Sequence, residues 1–154
     1  MATGDITWFD IALPMGFPGT SAFSSGDTMS LVLLEDASIT STSTAHGIAD
    51  FTEANSTGNA TYPASGSTLD TWGDMWLGIG QTGDVATFDT TTNPTFLQNS
   101  DNSTEVNYAM VTNITDAGKR GLCFIELGAV DMTAGDLTIT FNASGIMTIT
   151  STST

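Results

Sequence analysis

Positive charge is what this 154-residue chain lacks most. Lys119 and Arg120 are its two cations, set against 17 acidic residues, for a formal net charge of −15 and a pI near 4.1. Such a surface repels phosphate backbones and anionic lipid headgroups, so nucleic acid and membranes are not expected partners. The charge leaves room for a positive protein surface, a divalent cation or a neutral carbohydrate. Its plainest consequence is solubility, in salt that screens the self-repulsion. Cysteine is nearly absent too: Cys123 stands alone, which excludes an intramolecular disulfide. It lies in the apolar run Leu122-Cys123-Phe124-Ile125, where a buried, inert thiol is expected. With a single histidine, His46, and that one cysteine, there is no zinc constellation. His46 sits beside Gly47 in a polar stretch, and no Gly-X-Ser-X-Gly elbow accompanies it, so it reads as a surface or loop-packing histidine. No apolar stretch reaches membrane-spanning length, and no Lys or Arg precedes the first apolar residues as a secretory leader would require. The Asn-X-Ser/Thr patterns at Asn55, Asn59, Asn102, Asn113 and Asn142 are what chance supplies in a chain this rich in Asn, Ser and Thr.

Helix formers are scarce as well. Charged residues make up 12% of the chain, roughly half the usual share, and Thr, Ser, Gly and Asn fill the gap. The hydrophobic content of 40% still supports a sizeable core and a single domain, so the acidity is not that of a disordered tail.

What is present is strand pattern. Residues 28–35 hold the unbroken run Met29-Ser30-Leu31-Val32-Leu33-Leu34, which predicts a buried central strand. Residues 105–115, 120–129, 136–142 and 146–151 carry further apolar patterns, separated by short polar stretches such as Asp116-Ala117-Gly118. The last two alternate apolar and polar about Asn142-Ala143-Ser144-Gly145 and read as a hairpin with one wet face. Residues 68–79 read as a strand with a bulge at Gly73, and 85–89 as a short strand. Residues 44–54 read as a short helix or irregular crossing, with Ile48 and Phe51 inward. Residues 36–43 and 55–68 read as polar connections, and 90–102 as a polar loop pinned by Pro94, Phe96 and Leu97. About seven or eight short strands result, an all-β pattern that points to a compact β-sandwich of jelly-roll type. The expected division is an N-terminal arm, 1–27, and a β-sandwich domain, 28–154. The arm sets Trp8, Phe9, Ile11, Leu13, Met15, Phe17 and Phe23 among Pro14, Gly16, Pro18 and Gly19, which argues against a long helix. It either folds over its own core or docks on a neighbour.

One cluster invites chemistry. If 68–79 is a single strand, Asp70, Trp72, Asp74 and Trp76 share a face, which would suit sugar stacking or a glycosidase carboxylate pair. Tryptophans packed in a core or a subunit contact are the commoner arrangement, since aromatics carry the energy of both. The Asn99-Ser100-Asp101-Asn102 stretch lacks EF-hand spacing and reads as a surface loop, and the glycines around Ile79 form no phosphate-binding fingerprint.

Several segments, taken in order, resemble a family of small virion proteins of tailed bacteriophages, of the head-decoration or cement type. Asp27-Thr28-Met29-Ser30-Leu31-Val32-Leu33-Leu34 resembles the family's opening strand, and Tyr62-Pro63-Ala64-Ser65-Gly66-Ser67-Thr68-Leu69 a following segment. Glu105-Val106-Asn107-Tyr108-Ala109-Met110-Val111 and Leu122-Cys123-Phe124-Ile125-Glu126-Leu127-Gly128 resemble two further strands. Leu137-Thr138-Ile139-Thr140-Phe141-Asn142-Ala143-Ser144-Gly145-Ile146-Met147-Thr148-Ile149 resembles the closing hairpin, the most specific of these matches. The likeness covers most of 27–149. The chain departs from the pattern at Val106 and Asn107, where the family carries a cation before the tyrosine, at Ser30, where it carries a lysine, and in its aromatic-rich arm.

The resemblance implies a non-enzymatic protein that binds the outer head surface of the virion and stabilises contacts between major capsid subunits. Its expected partners are the major capsid protein and copies of itself, with no cofactor and no metal. The arm's Trp8, Phe9, Leu13 and Phe17 are the expected capsid or subunit contacts, and Trp72 and Trp76 the expected sugar or interface contacts. The alternatives are a tail, baseplate or fibre subunit that binds carbohydrate, and, further off, an acidic hydrolase using Asp70 and Asp74.

Overall fold

The computed structural model of the chain describes residues 6–9, 26–40, 47–54, 66–71, 75–77, 85–90, 92–141 and 146–150. They form antiparallel sheets, with a 3-10 turn at Ile48–Asp50, and the fold is all-β. The sheets are built from β1 (Ile6–Trp8), β2 (Thr28–Leu34), β3 (Ser67–Thr71), β4 (Trp76–Leu77), β5 (Val85–Phe88), β6 (Thr95–Phe96), β7 (Val106–Asn113), β8 (Gly121–Val130), β9 (Leu137–Thr138) and β10 (Met147–Thr150). Five strands make the main sheet, in the order β1-β8-β7-β2-β3.

The centre of that sheet follows from its sequence. A strand covered on one face alternates apolar with polar, whereas an unbroken apolar run needs cover on both faces. Residues 29–34 of β2 are all buried, Ser30 included, and so are residues 108–113 of β7. Register sets which side chains meet. Val32, Met110 and Phe124 lie opposite one another and share one face, while Leu33, Ala109, Ile125 and Ile6 share the other.

The first of these faces is covered by aromatics and by a crossing segment. Phe9 is 1% exposed, with its ring centroid 5.1 Å from Phe124 and 6.3 Å from Phe51. Tyr108 meets Phe124 edge-on at 5.9 Å, a favoured aromatic geometry. Residues 47–54 run from a bridge between Gly47 and Arg120 at one end of the sheet to a bridge between Glu53 and Leu34 at the other end. They therefore cross the sheet diagonally and carry Ile48 and Phe51 inward, as their sequence predicts. Gly121 makes this packing fit: a Cβ there would stand 2.5 Å from Met110 Sδ and 3.0 Å from a ring carbon of Phe9.

Three sequence expectations are corrected. Ile6–Trp8 of the arm is a strand of the main sheet and Phe9 belongs to the core, so these residues are part of the domain. The segment 68–79 is not one strand. β3 joins the main sheet, whereas β4 joins a separate three-stranded sheet ordered β10-β5-β4. The closing segments do not pair with each other either. β9 pairs with β6, which lies inside the expected loop 90–102, and β10 pairs with β5. Hydrogen bonds beside the paired residues explain the first of these choices. Thr95 and Thr138 hydroxyls meet at 2.9 Å, the Ile139 N–H donates to Pro94 O, and the Phe141 N–H donates to Asn93 Oδ1. Alternation determines which side chains face inward but does not choose the neighbouring strand. Phe96, Ile139, Ile146, Met75 and Leu69, all from outside the three central strands, are buried in the same hydrophobic cluster as those strands.

Candidate docking residues

The expected contact residues have three different fates. Phe9 points into this chain's own core, so it is not available to anchor a partner in this conformation. Trp8 stands in β1 opposite Cys123. Leu13 and Phe17 lie outside the described residues, as do Trp72, Asp74 and His46. Trp76 stands in β4 opposite Phe88, and Asp70 in β3. Asp70 and Trp76 therefore belong to different sheets, and the single strand face proposed to display Asp70, Trp72, Asp74 and Trp76 does not exist.

The end of the main sheet near the β7–β8 turn is organised by Asn113, which sequence reasoning passed over. Asn113 is fully buried; its Nδ2 donates to Asp27 Oδ2 at 2.7 Å, and its Oδ1 accepts from the N–H groups of Thr115 and Asp116. Thr115 Oγ1 accepts from the Thr28 N–H, and Thr28 O accepts from the Ile114 N–H. The root of β2 is thus clamped to this turn. The available signal was an asparagine at a strand end before a polar turn, where such side chains cap local backbone. In the same turn Asp116 accepts from the Gly118 N–H and lies 3.6 Å from Arg120 Nε. That ion pair is partly exposed and contributes little to stability.

Phe9 reaches the sheet at the same end. Its N–H donates to Leu122 O, beside the start of β8. Phe9 and Asp27 therefore stand at the same end of the main sheet. Residues 10–25, between these two points, hold the remaining aromatics of the expected arm and lie outside the described residues. The strands on both sides of this segment, β1 and β2, belong to one sheet.

Polar groups around residues 97–102 serve loops. Asn99 Oδ1 accepts from the Asp101 N–H, and Asn102 Nδ2 donates to Leu97 O and Met132 O. Gln98 binds Asp136 through its N–H and Thr133 O through its side chain. Among the described residues no group of three or more His, Cys, Asp or Glu side chains could hold a metal ion. Cys123 is buried as expected, and burial pushes its thiol far up, against a smaller opposing effect of a hydrogen bond with the Val111 backbone. Such a thiol is a packing group, not a nucleophile. Asp131 is held below its ordinary range, chiefly by the Thr133 hydroxyl and next by the Thr133 N–H.

Comparison with protein-family models, with curated proteins and with solved structures finds no match to this chain.

Proposed function

We propose that this chain is a non-enzymatic virion component that decorates the outer head surface of a tailed bacteriophage and strengthens contacts between major capsid subunits. The observation that carries the reading is where the family-like segments fall. The opening segment is β2, and the two longer central ones contain β7 and β8. These three strands are neighbours in the middle of the main sheet. The resemblance therefore follows a contiguous structural core, not scattered pieces. The finer fold reading belongs here as well: a β-sandwich of jelly-roll type, in which the two smaller sheets form the second layer. Its support is that Phe96, Ile139, Ile146 and Met75 share one hydrophobic cluster with the main sheet.

In mechanism, a rigid sheet buried on both faces presents fixed loops and edges to a repeating lattice. Each contact is weak, and symmetry together with self-association supplies avidity. The net charge of −15 keeps unbound copies apart in solution. With Phe9 committed to the core, Leu13 and Phe17 become the first contact residues to truncate. The test uses capsids prepared without this protein. Added chain should saturate them at a fixed stoichiometry and raise their melting temperature, and Leu13→Ala/Phe17→Ala should weaken both effects. Binding restricted to tails would move the assignment to a tail, baseplate or fibre subunit, and no binding to any particle would end it.

A further inference from the structure

Asparagine side chains are chemically labile, and how labile depends on the residue that follows. The backbone nitrogen of that residue can attack the side-chain Cγ, so that ammonia leaves and a five-membered succinimide forms. The described asparagines are Asn93, Asn99, Asn102, Asn107 and Asn113, followed by Pro94, Ser100, Ser103, Tyr108 and Ile114. Proline has no N–H to react, and tyrosine and isoleucine crowd the ring. Two identical Asn-Ser pairs remain, three residues apart in one loop, and the fold treats them differently.

Asn102 is held. It is 9% exposed, and its Nδ2, the leaving group, donates to both Leu97 O and Met132 O. Its Oδ1 is buried with no donor among the described residues, so no protein group there stabilises the oxyanion of attack. Asn99 has the opposite arrangement. Its Oδ1 accepts from the Asp101 N–H at 2.9 Å, which polarises Cγ and supports the oxyanion. Its Nδ2 has no acceptor among the described residues, and neither has the Ser100 N–H. Ser100 and Asp101 are exposed, so water and hydroxide reach the turn. Two backbone bonds hold it, Asn102 N–H to Asn99 O at 3.1 Å and Asn99 N–H to Met132 O at 3.4 Å. The second is longer than the usual range, so the turn opens locally at little cost.

We propose that Asn99-Ser100 is a site of spontaneous modification, where Asn99 converts to aspartate and isoaspartate while Asn102-Ser103 stays intact. Ser100 N loses its proton to hydroxide and bonds to Asn99 Cγ, and the Cγ–Nδ2 bond breaks with release of ammonia. Water then opens the succinimide. Breaking the N–Cγ bond gives aspartate, and breaking the N–C bond gives isoaspartate. Either product adds one negative charge to the −15. Isoaspartate also lengthens the main chain by one carbon and turns the Asn99 carbonyl, the acceptor of the Asn102 N–H, into a branching carboxylate. The reaction therefore loosens the tie between residues 97–102 and Met132. This chemistry is independent of the virion assignment.

The full chain is incubated at mildly alkaline pH, below its melting temperature, and the acid formed at each position is followed by fragment-ion mass spectrometry. Freeing the Asn102 amide breaks two hydrogen bonds at a buried site, so acid should accumulate at residue 99 at least about tenfold faster than at residue 102. In concentrated urea the two rates should converge, because the dipeptides are identical. Ser100→Pro removes the attacking N–H at a turn position that favours proline, and should abolish the loss at residue 99. Amide exchange at residues 102 and 132 should rise in step with the isoaspartate fraction. Equal rates at the two positions in the folded chain, or undiminished loss at residue 99 in Ser100→Pro, would overturn the proposal.

Discussion

The central strands β2, β7 and β8 and the peripheral pair β6–β9 are held in different ways. β2, β7 and β8 run for 7, 8 and 10 residues, and β2 and β7 are buried almost throughout. β6 and β9 have 2 residues each; beside buried Phe96, their alignment draws on exposed polar groups: Thr95 with Thr138, Gln98 with Asp136, Asn93 with Phe141. The centre is specified by apolar burial, worth about 2 kcal/mol for each large side chain fully removed from water. The periphery is specified by many bonds that each contribute about 1 kcal/mol or less. Substitutions should separate the two regimes sharply.

The largest loss belongs to the centre. Phe124→Ala removes the ring that meets both Phe9 and Tyr108, and should cost about 3–5 kcal/mol in urea unfolding. Gly66→Ala should follow, at roughly 2–4 kcal/mol. Gly66 has φ +76°, and a Cβ there would collide with the backbone carbonyl of Leu31 in the central strand. Asn113→Ala should cost about 1–3 kcal/mol, because it withdraws partners from Asp27, Thr115 and Asp116 at a buried site. Amide exchange should then rise first at residues 114–116.

The periphery should give smaller numbers. A Thr95→Ala/Thr138→Ala double-mutant cycle should return a coupling of about 0.2–1 kcal/mol, the range for a cross-strand threonine pair. A coupling as large as the Phe124→Ala loss would erase the distinction between centre and edge. The smallest effect is that of Asp131. Its folded pKa lies below the ordinary aspartate value of 3.8, so its contribution is present above that value and fades as pH falls through the folded one. Carboxyl titration by NMR should show the depressed value, and Thr133→Ala should return it toward 3.8. An unchanged titration would mean that Thr133 is not its cause.

The same contrast explains what could be read from sequence. The run Met29-Ser30-Leu31-Val32-Leu33-Leu34 and the Leu122-Cys123-Phe124-Ile125 segment announced buried strands because continuous apolar character has few other outlets. The inward placement of Ile48 and Phe51 was legible for the same reason. β9 and β10 were legible as strands but not in their pairing, since the period of two carries no address. β1 was hidden because Ile6-Thr7-Trp8 is too short a pattern to stand out from the Gly- and Pro-rich segment that follows. The contact residues were the least legible part. An aromatic reads alike whether it fills its own core, as Phe9 does, or a partner's pocket. The single-face grouping of Asp70, Trp72, Asp74 and Trp76 failed because the chain passes from one sheet to another between Thr71 and Trp76, a change that alternation does not register.

The measurement that bears most directly on the proposed role is the ratio of this chain to the major capsid protein in purified virions, by quantitative mass spectrometry. A capsid-wide decoration protein predicts a ratio near one or a simple fraction of it. A ratio of a few per cent would assign the chain to the tail, and its absence from the particle would contradict the account.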